Sequence, residues 1–530
     1  MRAPATSAPA AVLALTACCG VLAAACSADS TAPGPASTIA AMSAVEQSGR
    51  AGELAPESLR VRVLDGARRP VRGATVRFEL ASGAGTLRVP GLAGASPTAF
   101  LSTTDSGVAV VAWDLGPTLG RQEVRATATG ADGTVTFGAA VRAGPARTVE
   151  RLQGDLQVGA VGAALPVAPR VRLLDAYGHA VADEPVTFWA ATGGSRIDGG
   201  EATTDSSGVA SAGTWTLGGC GGQSLVEART ANGASAAFTA TATGGPDVCI
   251  AVSYLSPPAP SLRAATDSAA ARWSRTILTR FDPLLVDIGI YDCFVTIRPT
   301  RRDVEAPLIF VDFVAIPPTP TGRAILGSAG PCLLRPSGFP LAGFIRLNSE
   351  FMLANLSQAQ IEAVVLHEMG HILGIGTLWS GTTGTIPDLF SDPPPGGAPR
   401  FTGPLAIATY RGLPGGDAAA TGVPIETCGP AGTANAHWSE QVFGDELMTG
   451  YLGARGVLST LTISAMADLG YATDSTQASP YVVSGNPCPA AALRFAPPGS
   501  VVVGGVIATE TLIGPTGIVR NGRVERIVRH

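Results

Sequence analysis

His367-Glu368-Met369-Gly370-His371 places two imidazoles and a carboxylate within five residues. On a helix, positions four apart lie one above the other, so both rings can reach one metal ion. Glu368, one residue past the first ring, is placed to take a proton from a water at that ion. The chain of 530 residues has only five histidines. Chance gives such a pattern in on the order of a few per thousand sequences, so two ordinary solvent-facing histidines explain it poorly. Gly374, three residues beyond His371, lets the chain turn away so that a third ligand can arrive from outside the helix. A catalytic zinc site uses three protein ligands and keeps a fourth position open. Downstream, only His437 and His530 remain to supply that ligand.

The elements that must hold these groups are legible nearby. Ser357 with Gln360 is a capping-box start, and Gly374 a natural stop, for a helix over 358–373. Ile361, Val365, Met369 and Ile372 form its apolar stripe. Residues 264–280 lack Gly and Pro and carry apolar residues at helical spacing. Leu308–Val314 and Gly343–Asn348 read as buried strands, and 461–471 as a closing helix. This order predicts an α+β domain over 249–490. By fold analogy alone, the strand at 343–348 is a candidate edge for aligning an extended peptide.

The motif continues as His371-Ile372-Leu373-Gly374, similar to the metzincin zinc peptidases, but Thr377 stands where their short motif has its third histidine. The downstream residues are His437-Trp438-Ser439-Glu440 and Glu446-Leu447-Met448-Thr449, after a Gly- and Pro-rich stretch at 377–436. This arrangement resembles the leishmanolysin family, in which a long insertion separates the second and third zinc histidines and a Met-turn follows. The resemblance implies one catalytic Zn2+ held by His367, His371 and His437, Glu368 as the catalytic residue, and Met448 beneath the metal. His179, in a turn, and the terminal His530 need no role.

Upstream lies an internal repeat. Arg60–Asp65, Thr75–Leu80 and Thr103–Ala109 leading to Trp113 are echoed by Val171–Asp175, Pro185–Trp189 and Thr203–Ala210 leading to Trp215. Period-two alternation broken by Gly, Asp and Ser turns predicts antiparallel strands. The pattern resembles the bacterial Ig-like domains of invasin-type adhesins, which implies sandwiches over 54–145 and 146–245. Such domains serve as spacers or in adhesion. The expected architecture is therefore multidomain: two all-β Ig-like sandwiches followed by an α+β metzincin-type zinc peptidase domain.

Charged residues are only 15% of the chain, apolar residues 46%, and the net charge is −5. This suits packed globular domains and offers no basic field for nucleic acid. All 36 basic residues are Arg. The start of the chain, with Arg2 and a small-residue apolar run over 10–25, fits an export signal over 1–26. Leu22-Ala23-Ala24-Ala25-Cys26 resembles a bacterial lipoprotein signal, with Leu15-Thr16-Ala17-Cys18 as an alternative. The expected location is the cell surface or outer membrane by a lipid, otherwise secretion, with no other membrane contact. Residues 27–53, rich in Ala, Ser, Thr and Pro, read as a flexible tether.

Six cysteines lie beyond the signal: Cys220, Cys249, Cys293, Cys332, Cys428 and Cys488. Scattered and even in number, they read as disulfides, with neighbour pairing the working guess among about fifteen arrangements. The tail 491–530 has β-like runs and suggests no function. The functional expectation is an exported zinc endopeptidase acting on proteins or peptides. The rivals are an adhesin or spacer with an inactive metal domain, and a zinc hydrolase of non-peptide amides. Oligomeric state is not legible.

Overall fold

The computed structural model describes residues 32–288, 293, 300–318, 324–380, 386–391, 397–428, 433–485, 501–502, 517–520 and 523–526. The expected signal over 1–26 and most of the tail 491–530 lie outside them. The chain forms two compact units, divided after Gly144.

The first unit is a β-sandwich. One sheet joins strands Ala36–Ala41, Leu59–Asp65, Val108–Asp114 and Thr86–Arg88. The other joins Glu46–Arg50, Val135–Arg142, Gly120–Ala128, Thr75–Ser82 and Thr98–Ser102. Alternating residues of both (Val61, Val63, Phe78, Val111, Trp113, Val124, Phe137) meet in one core. Two of these strands fall inside 27–53, which corrects the expected tether. Ala36–Ala41 pairs antiparallel with Leu59–Asp65, and Glu46–Arg50 pairs parallel with Val135–Arg142. Backbone pairing to a formed sheet fixes this stretch despite its linker-like composition.

The second sandwich, in the other unit, repeats the plan and the reasons for it. In each copy a strand-ending aspartate accepts two backbone N–H groups across its turn: Ala67 and Arg69 on Asp65, Tyr177 and His179 on Asp175. The threonines of the repeated motif also match. Thr103 and Thr204 each donate to a carbonyl, that of Val71 at 2.6 Å and of Val181 at 2.7 Å. Trp113 and Trp215 are both fully buried.

The C-terminal domain is α+β. Its sheet runs β1 (Ala251–Tyr254), β2 (Leu308–Val314), β4 (Pro340–Asn348), β3 (Gly327–Leu334). The first three are mutually parallel and β3 is antiparallel to β4. The strand expected as an edge, 343–348, is therefore interior. Beyond β3 the sheet continues into Gly517–Arg520 and Arg523–Arg526. Only Leu333 and Leu334 of β3 pair outward, with Gly517 and Ile518, and its stretch Gly327–Pro331 has no second strand partner among the described residues. A crossover from β2 reaches β4 by way of β3, which a sequence pattern does not reveal.

Six helices follow in the described residues: α1 (Pro260–Thr276), α2 (Ser349–Asn355), α3 (Gln358–Leu373), α4 (Pro404–Gly412), α5 (Glu440–Phe443) and α6 (Thr460–Asp468). α1 begins four residues earlier than its composition suggests, because Pro260 occupies the first turn, where no N–H is needed. α3 packs on the sheet through Ile361, Val365, Met369 and Ile372, all in the domain core. It meets α1, whose Trp273 Nε1 donates to the Leu366 carbonyl at 2.9 Å.

Second sandwich and C-terminal domain share that core. Trp189 and Ala191 of the sandwich are buried with Val252, Tyr254 and Leu262. Arg263 of α1 donates to the sandwich carbonyls of Ala190, at 2.7 and 2.9 Å, and Ser195, at 2.7 Å. Cys220–Cys249 crosses the same seam, and Cys293–Cys332 lies within the sheet domain. Both are neighbour pairs, and Cys428 is also disulfide-bonded.

Candidate metal centre

α3 carries the site because its ends are fixed. The Ser357–Gln360 capping box forms in both directions, and Gly374 ends the helix at φ 121°. His367 and His371 leave adjacent turns of this helix and are buried to 1% and 3% exposure.

The third histidine arrives by a long excursion that is closed at both ends. At its start, Gly376 (φ 75°) lets the backbone of Ala436, the residue before His437, approach to a distance that any Cβ would block. Thr377, in place of the short motif's third histidine, instead donates to the carbonyl of His371 at 2.6 Å. At its end, Trp438 stacks on Trp379 (4.9 Å between centroids) and meets Phe401 edge-on at 5.4 Å. Such pairs contribute about 0.5–1.5 kcal/mol each beyond burial. α4 anchors the middle, with the Asp468 carboxylate accepting the N–H groups of Leu405 and Ala406 at its N-terminus.

The three rings converge. His371 Nε2 lies 2.9 Å from His367 Nε2 and 3.0 Å from His437 Nε2, and the third separation is 3.2 Å. The opposite nitrogens settle the tautomers. His367 Nδ1 faces the Leu447 carbonyl at 2.6 Å, His371 Nδ1 that of Ile375 at 2.8 Å, and His437 Nδ1 that of Thr433 at 2.9 Å. A carbonyl only accepts, so each Nδ1 carries the hydrogen and each Nε2 presents a lone pair. Three lone pairs facing one another at 3 Å are not hydrogen bonds; they repel unless a cation lies between them. Burial favours neutral rings: it pushes His371 down to about 4 and the other two well below the usual histidine range, helped by their neighbours' proximity.

Zinc fits this donor set. Bonds of about 2.0–2.1 Å at tetrahedral angles separate nitrogens by about 3.3–3.4 Å, near the observed spacing. Each ligand has its outer carbonyl, as metal-bound histidines require. His367, His371 and His437 are the one group of metal-ligating side chains so arranged among the described residues. His179 is elsewhere, bonded to Asp175 in its turn.

Glu368 is fully buried, and its carboxylate faces β3, where a Cβ on Gly327 would stand 2.6 Å from Oε1. Met448 is also fully buried, its sulfur set against Gly370 between the two helical histidines. Sequence reasoning missed the orienting carbonyls of Leu447, Ile375 and Thr433, which carry no side-chain signal, and it missed Glu446, whose only signal was its place beside Met448.

Residues 304–487 match the family model described as leishmanolysin, peptidase M8. The C-terminal domain is thus of a metallopeptidase family, and the matched stretch contains all four site residues. No curated protein matches the chain. Among solved structures, the chain is similar to the Escherichia coli adhesin FdeC, at 20% identity and a TM-score of 0.30, over 39% of this chain and 64% of that one. It is also similar to the D00-D0 domain of intimin (16%, TM-score 0.22, 39% of this chain and 99% of that one). A third is invasin, described as a bacterial integrin-binding protein (19%, TM-score 0.20, 40% of each chain).

Proposed function

We propose that this protein is an exported zinc-dependent endopeptidase that hydrolyses peptide bonds in proteins or peptides. The observation that carries the reading is the convergence of three buried Nε2 lone pairs, each fixed by a carbonyl behind its ring. Zinc bound there would acidify water and polarise a scissile carbonyl. Glu368, next to His367 on α3 and facing β3, would accept the proton of the attacking water and pass it to the departing amine. The stretch Gly327–Pro331, which has no second strand partner among the described residues, would offer main-chain groups to align an extended substrate beside that carboxylate. Export is supported by disulfides that persist in oxidising compartments. Attachment through a lipid on Cys26 belongs to the same reading, although that residue lies outside the described ones.

The test is hydrolysis of casein or gelatin by the exported chain, compared with Glu368→Ala. Loss of a general base is expected to lower the rate by about 10²–10⁴, with zinc retained. Equal activity in the two proteins would remove the peptidase reading and leave a binding or spacer role.

A further inference from the structure

Glu446 has no part in the chemistry described above, yet it is a carboxylate with 1% exposure. Burying a carboxylate is costly unless both oxygens are satisfied. Here Oε2 accepts the Met448 N–H at 2.6 Å. Oε1 accepts the Ser459 hydroxyl at 2.7 Å, the Thr462 hydroxyl at 2.6 Å and the Ser459 N–H at 3.3 Å. One oxygen therefore holds the turn 446–449 and the other the start of α6.

Both of these segments bear on metal ligands. The turn carries the Leu447 carbonyl that fixes His367 Nδ1. Thr462, while donating to Glu446, accepts from Trp438 Nε1 at 2.9 Å, and the Trp438 N–H donates to the Met448 carbonyl at 2.9 Å. Trp438 follows His437 directly. His371 is different, because its Nδ1 partner, Ile375, belongs to the end of its own helix.

We propose that Glu446 is a positioning residue of the metal centre, joining the supports of His367 and His437 in one buried hydrogen-bond node while leaving His371 to α3. Only an acceptor at both oxygens fits the node, since every neighbour donates. A glutamine would present an NH2 group to one of these donors. The proposal rests on the zinc reading.

The experiment uses the full chain and zinc itself, titrated against a competing chelator, with Glu446→Gln, Thr462→Val and Thr462→Ser. Disturbing the support of metal-bound histidines costs about 10–100-fold in affinity. That loss is expected for Glu446→Gln and Thr462→Val, with Thr462→Ser close to the parent because it keeps the hydroxyl. The cobalt(II) forms of the two weakened variants should also show altered visible spectra. A node that merely stabilises the fold would lower the melting temperature of the metal-free variants and leave zinc affinity unchanged; that result overturns the proposal. Should Glu446→Gln fail to fold, the Thr462→Val and Thr462→Ser pair decides by the same criterion. Failure of the parent chain to bind zinc would overturn the zinc reading itself, and is read separately from the variants.

Discussion

Gly370 and Met448 touch across the floor of the metal site: a Cβ on Gly370 would lie 2.7 Å from the Met448 sulfur and 3.0 Å from its methyl. The glycine inside the histidine motif is thus the space into which the distant turn docks. Met448 is buried completely, so its flexible end has little room to retreat. Alanine normally stabilises a helix over glycine by about 1 kcal/mol. Gly370→Ala is expected to reverse that sign and cost roughly 1–3 kcal/mol through overpacking. Denaturant unfolding of the metal-free protein measures it; a gain in stability would show that the turn is not seated against this helix.

Gly327 plays the same part for the Glu368 carboxylate. Its missing Cβ would fall 2.6 Å from Glu368 Oε1, whereas the three imidazoles lie outside its nearest neighbours. Gly327→Ala should therefore displace Glu368 and leave the ligands in place. Displacement of a reacting group by about 1 Å can cost on the order of 10² in rate. The expected outcome is a fall of that order in casein hydrolysis with full zinc content, measured by metal analysis on the same sample. Loss of zinc instead would contradict this placement of the clash.

The second sandwich shares its core with the C-terminal domain, and its removal should destabilise that domain. Arg263 reaches two of its carbonyls at 2.9 Å or less and stacks 4.8 Å over Tyr254. Hydrogen bonds to charged groups contribute roughly 1.5–3 kcal/mol, and Arg263→Ala should destabilise the chain by about that much. A fragment starting at residue 246 also loses Trp189 and Ala191 from its core and the partner of Cys249. It should melt well below a fragment starting at residue 145. Equal melting temperatures would mean that the seam is incidental.

Acid should weaken the metal-free protein before it reaches the carboxylate range. Burial depresses His371 from 6.5 to about 4, and His367 and His437 move in the same direction. Below pH 6.5 the unfolded chain takes up protons that the folded cluster refuses, so stability is fully present above that pH and declines as pH falls toward 4. Melting temperature against pH for the metal-free parent should slope down over this window. His371→Ala should flatten the slope, and parallel curves for the two would count against the cluster as its origin.

Local rules made much of the chain readable. The capping box at Ser357 and the stop at Gly374 fixed α3 to the residue, because both act within one turn of backbone. The duplicated Asp and Thr turns fixed the sandwiches for the same reason. By contrast, strands Ala36–Ala41 and Glu46–Arg50 were hidden in linker-like composition, because their pairing partners lie far along the chain. The interior position of 343–348 was hidden likewise: strand order is a property of the sheet and not of any one strand.

The sequence by itself determined which groups could bind a metal and which carboxylate stands beside them, since residue type and helical spacing decide both. It named His437 only through resemblance. Tertiary structure alone decided that the ring returns across the excursion after Gly376 to lie 3.0 Å from His371, that Leu447, Ile375 and Thr433 turn the three lone pairs inward, and that Glu446 joins the turn bearing Leu447 to Trp438, the residue after His437. These are contacts between segments distant in the chain. They follow from how aromatic, helical and sheet surfaces pack, and no local pattern encodes that.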